Sequence, residues 1–177
     1  SVSIRLYWFR KILKEQTDLT VEERNIFLPF KQPYLEFLSK ELKKIKASEV
    51  IASKLGLGKG EPVVYLYRRR FADNEPIVLQ KTYLSCKKCG FILDCDFTKD
   101  SLYKSLARTN QTKVVRVQRI VEVDEATNED AENLEIAMGK PIQSFTTTGF
   151  NVFGEVIEFS LARYRGDRSR FEVSANI

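Results

Sequence analysis

The sequence of 177 residues contains no histidine at all. Histidine is the commonest general base near neutral pH, a frequent zinc ligand and a member of most serine and cysteine nucleophile systems. Its absence excludes the familiar catalytic triads and most zinc mechanisms. No pair of carboxylates, glycine-rich phosphate loop or nucleophile with an adjacent base stands out either. The residues alone therefore offer no recognisable catalytic motif, and we expect no cofactor.

Long apolar runs and a secretory signal are also missing. No run approaches the roughly 20 residues that cross a bilayer, so we expect no membrane partner and a cytoplasmic location. The single methionine is Met138, so we expect Ser1 to follow a part of the protein that was processed or left out. The net charge is +5, but no zinc finger, RNA-recognition signature or aromatic and basic platform accompanies it. Direct DNA binding by this segment is therefore not expected.

Cysteine is scarce, with three residues in the chain. Cys86 and Cys89 form a CxxC, and Cys95 follows between two aspartates. Such a set could bind zinc or act in redox chemistry. A second CxxC, a histidine and a βαβ context are all missing, and the segment reads as a loop after a strand. We interpret these residues as ordinary reduced thiols and predict no metal site.

One helix-and-hairpin pattern occurs twice, at a constant offset of 79 residues (131 − 52 = 79). In both copies an apolar helical spacing ends in a glycine, and an extended run that begins with proline follows. The matched residues are Ala52, Leu55, Leu57, Gly60, Pro62 and Val63 in the first copy and Ala131, Leu134, Ile136, Gly139, Pro141 and Ile142 in the second. Two such copies usually pack against each other, so inward polar side chains meet near a shared midline, where a ligand can bind.

The residue pattern predicts an α+β fold with a central antiparallel sheet and short helices. Segment 34–46 suits a helix by its leucine spacing but could also be a strand, and segment 5–15 has helical character. In the first repeated helix we expect Ser48 to be the N-cap and Gly58 or Gly60 to end the helix. The predicted helices are 48–57, 101–108 and 128–136, and the predicted strands are 63–71, 77–84, 113–123, 142–153, 156–165 and 169–173.

Two arginines share one face of the predicted strand 63–71. Arg68 and Arg70 lie two residues apart, and the preceding positions of that face are apolar. A buried guanidinium needs a countercharge because it does not lose its proton, and its forked donors fit phosphate or carboxylate oxygens. One interpretation is an anion clamp. The alternatives are that the pair binds an internal carboxylate such as Glu158, or reaches solvent at the strand end.

The second hairpin carries a polar face of its own. Glu158, Ser160, Ala162 and Tyr164 alternate along one strand, and their oxygens would suit hydrogen bonding to a polyol. The alternative is the exposed face of an edge strand. Gln80 occupies the corresponding place in the first hairpin and could add an amide donor or acceptor.

Three runs of the chain carry family motifs in order: ASKLGLGKGEPVVYLYRRRFADNEPIVLQKTYL, SLYKSL and GEVIEFSLARYRGDRSRF. They resemble the UTRA effector-binding domain, the C-terminal half of GntR/HutC-type bacterial transcription regulators. The likeness covers about residues 35–173, which implies an N-terminal linker or extension at 1–34 and a UTRA-like domain at 35–177. The resemblance implies a chorismate lyase-like fold, usually a homodimer, that binds a small effector, often a sugar phosphate. Such regulators are mostly repressors, and operator DNA is bound only by a winged helix-turn-helix that this chain lacks.

The resemblance also implies an effector site. The family's Arg-x-Arg falls on Arg68 and Arg70, its serine before Leu-Tyr falls on Ser101, and its glutamate and tyrosine fall on Glu158 and Tyr164. By likeness to relatives, the arginines and the serine would contact the anionic group and the other two would contact hydroxyls.

Three functional interpretations follow. The leading one, which rests on the resemblance, is a sensing domain without enzymatic activity. In it an anionic effector relieves the repulsion between the two arginines and changes the arrangement of attached DNA-binding domains. In it Gln80 completes the predicted effector site, although many relatives have glutamate at that position. A small enzyme of the same fold, such as a lyase that acts on an anionic aromatic acid, is the alternative from another class. The third is an interaction module that docks through residues 1–33.

Overall fold

A computed structural model describes residues 2–8, 37–72, 74–97 and 100–175 of the chain. The strands are β1 (Val2–Trp8), β2 (Phe37–Lys46), β3 (Pro62–Ala72), β4 (Glu75–Ser85), β5 (Arg116–Glu125), β6 (Pro141–Phe150), β7 (Val156–Arg165) and β8 (Ser169–Ala175). The helices are α1 (Glu49–Leu55), α2 (Cys86–Cys89), α3 (Leu102–Leu106) and α4 (Asn128–Leu134), and a 3-10 helix, η1 (Gly90–Asp94), follows α2. The predicted α+β class with a central antiparallel sheet is confirmed.

The central sheet has six antiparallel strands in the order β2-β3-β4-β7-β6-β5. This order is symmetric about its centre, because the first repeat supplies β3 and β4 and the second supplies β6 and β7. The two repeats meet where β4 pairs with β7. The duplicated helix-and-hairpin unit is therefore confirmed, and the joint between the copies runs through the middle of the sheet.

The repeat extends to individual hydrogen bonds. The amide of Gly60 donates to the carbonyl of Ala47 at 3.1 Å, and the amide of Gly139 donates to the carbonyl of Ala126 at 2.9 Å. Both glycines have a positive φ, 79° for Gly60 and 77° for Gly139. Glycine adopts this left-handed conformation at little cost, whereas other residues resist it. The spacing of glycine before proline in the sequence thus marks the turn from helix to strand in each copy.

Local sequence patterns predicted the start of the first repeated helix correctly but not its end. Ser48 is the N-cap of α1, as predicted, and its side-chain oxygen accepts from the amide of Ile51 at 3.3 Å. The helix ends at Gly56, which has φ 66°, so the prediction that Gly58 or Gly60 ends it is wrong. Each helix packs against the other copy, α1 on β7 and α4 on β4, which interlocks the two repeats.

Three further sequence predictions need correction or completion. Segment 37–46 is a strand, so the second reading of 34–46 was the right one. Residues 5–8 lie in β1, which pairs with β8, so the helical prediction for 5–15 is wrong there, and its remainder lies outside the described residues. The segment after β4 is not a loop, because α2 and η1 pack into the core through Cys89 and Ile92. The division into 1–34 and 35–177 stays a prediction.

The two faces of the sheet are covered differently. Helices α1 and α4 lie on one face, where apolar clusters form around Phe159 and Tyr67. On the other face α2, η1 and α3 cover one end, around Leu66 and Phe97. The rest of that second face carries the polar residues described next. Within the described ranges, no helix is long and apolar enough to cross a membrane.

Candidate functional site

Polar side chains of both repeats lie on the sheet face that α3 partly covers. Across the strands Arg68 is opposite Gln80, and Gln80 is opposite Ala162. Two residues away along these strands, Thr82 is opposite Ser160. We call the following residues the midline patch: Arg68, Arg70, Gln80, Thr82, Tyr103, Arg119, Glu158, Ser160 and Tyr164.

Arg68 is the most deeply buried cation of the midline patch, with 5% of its surface exposed. Its Nη2 donates to Oε1 of Gln80 at 3.2 Å. Burial and the charge of Arg70 together lower the pKa of Arg68 to about 10, although Glu158 and two tyrosines oppose the change. The fold therefore keeps this guanidinium away from water and beside a second positive charge, and both disfavour its charged form.

Arg70 and Tyr164 form the next row of the midline patch. Burial lowers the pKa of Arg70, and Tyr164 opposes that shift. Burial raises the pKa of Tyr164, whereas the charges of Arg70, Arg119 and Arg68 pull it down. The Tyr164 ring packs edge-on against Phe145, with centroids 4.9 Å apart. The phenol is therefore held neutral and in one orientation beside the guanidinium groups.

Glu158 is the carboxylate of the midline patch, with 1% of its surface exposed. Burial raises its pKa, and hydrogen bonds with Tyr103 and Ser160 and the charges of Arg68 and Arg119 counter that rise. Its Oε2 has no hydrogen-bond partner among the described residues, and the same holds for the hydroxyl of Thr82. Buried polar atoms of this kind call for a ligand or water.

Gly149 gives the Glu158 carboxylate its space. The two residues are opposite each other in β6 and β7. A Cβ at position 149 would lie 3.2 Å from Oε2 of Glu158 and 3.1 Å from Cγ1 of Val114. Both neighbours would have to move by a few tenths of an ångström to admit a Cβ, so glycine suits this position because of close approach rather than a turn.

The structure brings together five of the six residues of the predicted effector site, namely Arg68, Arg70, Gln80, Glu158 and Tyr164. The sixth, Ser101, lies exposed at the N-cap of α3, two residues before Tyr103. No capping hydrogen bond from its side chain occurs within the described chain. The assignment of these six residues to an effector stays a prediction.

Sequence reasoning missed three members of the midline patch. Thr82 follows Gln80 by two residues and could have been found from the strand period, and Tyr103 stands in the SLYKSL run. No sequence pattern pointed to Arg119. In the structure it belongs to β5, a strand whose residues are all exposed. It joins the midline patch by its charge, which acts on Glu158 and Tyr103.

A second arginine cluster, centred on Arg163, shows what a satisfied ion pair looks like in this protein. Arg163 Nε lies 2.9 Å from Asp130 Oδ2, and Nη1 lies 2.8 Å from Asp124 Oδ2. These contacts raise the pKa of Arg163 despite partial burial. The direction is opposite to that of Arg68, so the two arginines have opposite electrostatic roles.

Cys86 and Cys89 lie in α2 rather than in the predicted loop. Cys89 is buried in the core, and burial raises the pKa of its thiol to about 12. Cys86 and Cys95 are partly exposed free thiols. Within the residues that the structure describes, no group of three or more histidine, cysteine or acidic residues could hold a metal ion.

Comparison with known proteins places the chain among bacterial regulators. The model of the UTRA domain family matches residues 35–170. The HTH-type transcriptional regulator GmuR of Bacillus subtilis is 30% identical over 121 residues, which is 68% of this chain and 51% of that protein. The HTH-type transcriptional repressor NagR of the same organism is 28% identical over 127 residues, which is 72% of this chain and 52% of that protein. The chain thus spans about half the length of these curated relatives.

Solved structures show the same fold. The GntR-family transcriptional regulator of Enterococcus faecalis V583 aligns with a TM-score of 0.72 and 24% identity, over 78% of this chain and 99% of that chain. The C-terminal domain of the histidine utilization repressor of Pseudomonas syringae pv. tomato aligns with a TM-score of 0.74 and 19% identity, over 81% and 99%. The predicted chorismate lyase-like fold is thereby confirmed.

These findings also decide between the functional classes. The family and the named relatives are transcription regulators, so the prediction that the chain is not an enzyme is confirmed, and the lyase alternative is wrong. The match covers most of the sequence. The chain therefore belongs to the UTRA domain family.

Proposed function

We propose that this domain senses a small anion that carries hydroxyl groups, such as a sugar phosphate, and thereby controls an attached helix-turn-helix domain. It acts as a cytoplasmic homodimer and reaches operator DNA only through that attached domain. The observation that carries the proposal is the burial of Arg68 beside Arg70, on the sheet face where the two repeats meet.

The electrostatic balance of the midline patch favours an anion. Arg68, Arg70 and Arg119 all act on the same few groups, and the carboxylate among them is Glu158, whose pKa is raised. Positive charge therefore exceeds negative charge within the midline patch. A phosphate or carboxylate would offset the burial of Arg68 and its repulsion from Arg70, and forked guanidinium donors fit such oxygens in pairs.

The other end of the midline patch suits hydroxyl groups. Oε2 of Glu158 and Oγ1 of Thr82 are buried acceptors without a partner in the described chain, and Gln80 offers an amide beside Arg68. A hydroxyl group of a ligand could donate to the Glu158 carboxylate and accept from Thr82. An anionic group and several hydroxyls on one small molecule describe a sugar phosphate or a sugar acid.

Ligand binding would couple the two repeats. The arginines lie on β3 of the first repeat, and Glu158 and Tyr164 lie on β7 of the second. A ligand that contacts both favours one arrangement of the β4–β7 joint, and it shifts the protein only by its difference in affinity between arrangements. Attached DNA-binding domains would then lose register with two half-sites. The repressor name of the relative NagR supports release from DNA as the outcome.

Thermal shift measurements test the proposal directly. The panel comprises hexose 6-phosphates, the same free hexoses, sugar acids and inorganic phosphate, each with wild type, Arg70→Ala and Arg108→Ala. Arg108 is an exposed arginine outside the midline patch and serves as the matched control. Free ligand at about 100 times its Kd stabilises a protein by about 2.7 kcal/mol.

We expect a phosphorylated or acidic sugar to stabilise wild type and Arg108→Ala but not Arg70→Ala. Free hexoses should have little effect, because they lack the anionic group. Stabilisation that persists unchanged in Arg70→Ala, or the absence of any response to all the anions, would refute an anion site at the midline patch.

A further inference from the structure

The two edges of the six-stranded sheet are built differently, although the repeat makes them equivalent in position. The edge strand β2 carries Lys43, Lys44 and Lys46, and its register shifts between Ser39 and Glu41. Lysines and bulges are devices by which proteins prevent an edge from pairing with another chain. The first edge is therefore protected.

The opposite edge, β5, lacks these protective features. It pairs with β6 alone among the described strands, and all ten of its residues are exposed. Its apolar side chains lie on both faces, with Val117 39%, Ile120 52%, Val121 39% and Val123 78% exposed. A long edge strand that has no bulge and carries exposed apolar side chains is a template for pairing with a further strand.

The charges along β5 identify the partner. The first half of the strand carries Arg116 and Arg119, and the second half carries Glu122, Asp124 and Glu125. When two copies of this strand run antiparallel, the basic half of each lies against the acidic half of the other. The edge is therefore complementary in charge to a second copy of itself, and opposite charges across strands stabilise a pair.

We infer that β5 pairs antiparallel with β5 of a second copy, so that one continuous sheet runs through both. A two-fold axis at Ile120 sets Arg116 opposite Asp124 of the second copy and keeps each side chain on its own face. An axis at Arg119 would instead place that arginine against itself. This inference rests on the proposed homodimer and names the surface that forms it.

The location of Arg119 connects this surface with the ligand site. Arg119 belongs to the midline patch through its effect on Glu158 and Tyr103, and it lies one residue from the proposed axis. The same strand would therefore contribute to both ligand binding and pairing, so each can influence the free energy of the other.

Sedimentation equilibrium of the 177-residue chain, at micromolar concentration and above, tests the edge. We expect wild type to be a dimer and Ile120→Asp to be a monomer. The substitution places two like charges opposite each other at the axis and removes the apolar contact there. Val50→Asp is the control, because Val50 is 65% exposed on α1, and it should remain a dimer. Circular dichroism checks that both variants fold.

Charge exchange tests the direction of pairing. Arg116→Glu and Asp124→Lys each place like charges opposite each other across the axis and should weaken the dimer several-fold. The double variant restores opposite charges and should recover most of the lost affinity. An Ile120→Cys variant should form a disulfide across the axis under mild oxidation, because opposite residues in paired strands approach within disulfide reach. Val50→Cys should not.

The outcomes separate this inference from the proposed function. A wild-type monomer, a dimer that survives Ile120→Asp, or a double variant no better than the single ones would overturn the β5 interface. Ligand stabilisation that persists in Ile120→Asp would leave the proposed sensing role standing at the same time. Loss of ligand response in Arg70→Ala with the dimer intact would support both.

Discussion

Replacement of Arg68 by methionine tests whether the midline patch holds its charge at the expense of stability. Methionine keeps an unbranched chain of similar reach and removes the guanidinium. A lowered pKa means that folding disfavours the charged form, and this penalty applies at every pH below about 10 and fades only above it. We therefore expect Arg68→Met to stabilise the ligand-free protein at pH 7.

The expected magnitude follows from the pKa. The fall of the Arg68 pKa from its ordinary value to about 10 corresponds to about 3 kcal/mol against the charged form. The variant also loses the hydrogen bond to Gln80, worth about 1 kcal/mol, and some packing. A net gain of about 1–2 kcal/mol remains, which raises the urea midpoint by about 0.5–1 M when the m-value is unchanged. Ligand stabilisation should disappear at the same time.

Arg163→Met is the matched control in urea unfolding. Its guanidinium contacts Asp130, whose side chain is 1% exposed, and removal of one partner from a buried ion pair costs about 3–5 kcal/mol. The two variants should therefore change stability in opposite directions. If Arg68→Met destabilises the protein as much as Arg163→Met does, Arg68 is a structural ion-pair residue and the reasoning from its burial is wrong.

Two further predictions concern Glu158 and a helix end. Burial raises the pKa of Glu158 in the folded state, so this carboxyl group makes wild type less stable as the pH rises above 4.5. Glu158→Gln cannot ionise and should lack this contribution. Melting temperatures of wild type and Glu158→Gln from about pH 4 to 8 test the difference. Gly56→Ala should cost about 1–2 kcal/mol in urea unfolding, because φ is 66° there and a Cβ meets no atom within 4 Å, so backbone strain alone acts. An unchanged midpoint would show that the chain relaxes at that turn.

Much of the fold could be predicted because it follows from local rules. The two-residue period of Val64, Leu66, Arg68 and Arg70 identified a strand and placed the arginines on one face, and the 79-residue offset identified two equivalent units. Helix ends were less certain. Gly56, Gly58 and Gly60 are equivalent in sequence, and only backbone geometry shows that Gly56 takes the left-handed cap position.

The candidate site depends more on the tertiary structure. Shared faces follow from the strand period, but the register between strands depends on hydrogen-bonding patterns and on bulges such as those next to Arg70 and Gly149. Arg119 could not be assigned from sequence, since it reaches the midline patch from an exposed strand at the far edge of the second repeat.

The sequence by itself determined the repeat, the antiparallel class and the shared face of the two arginines, because each depends on neighbours along the chain. Only the tertiary structure decided that Arg68 is buried beside Arg70 and Glu158, and that one sheet edge is protected while the other is exposed. Burial and charge balance depend on which strands meet, and those contacts join residues that are far apart in sequence.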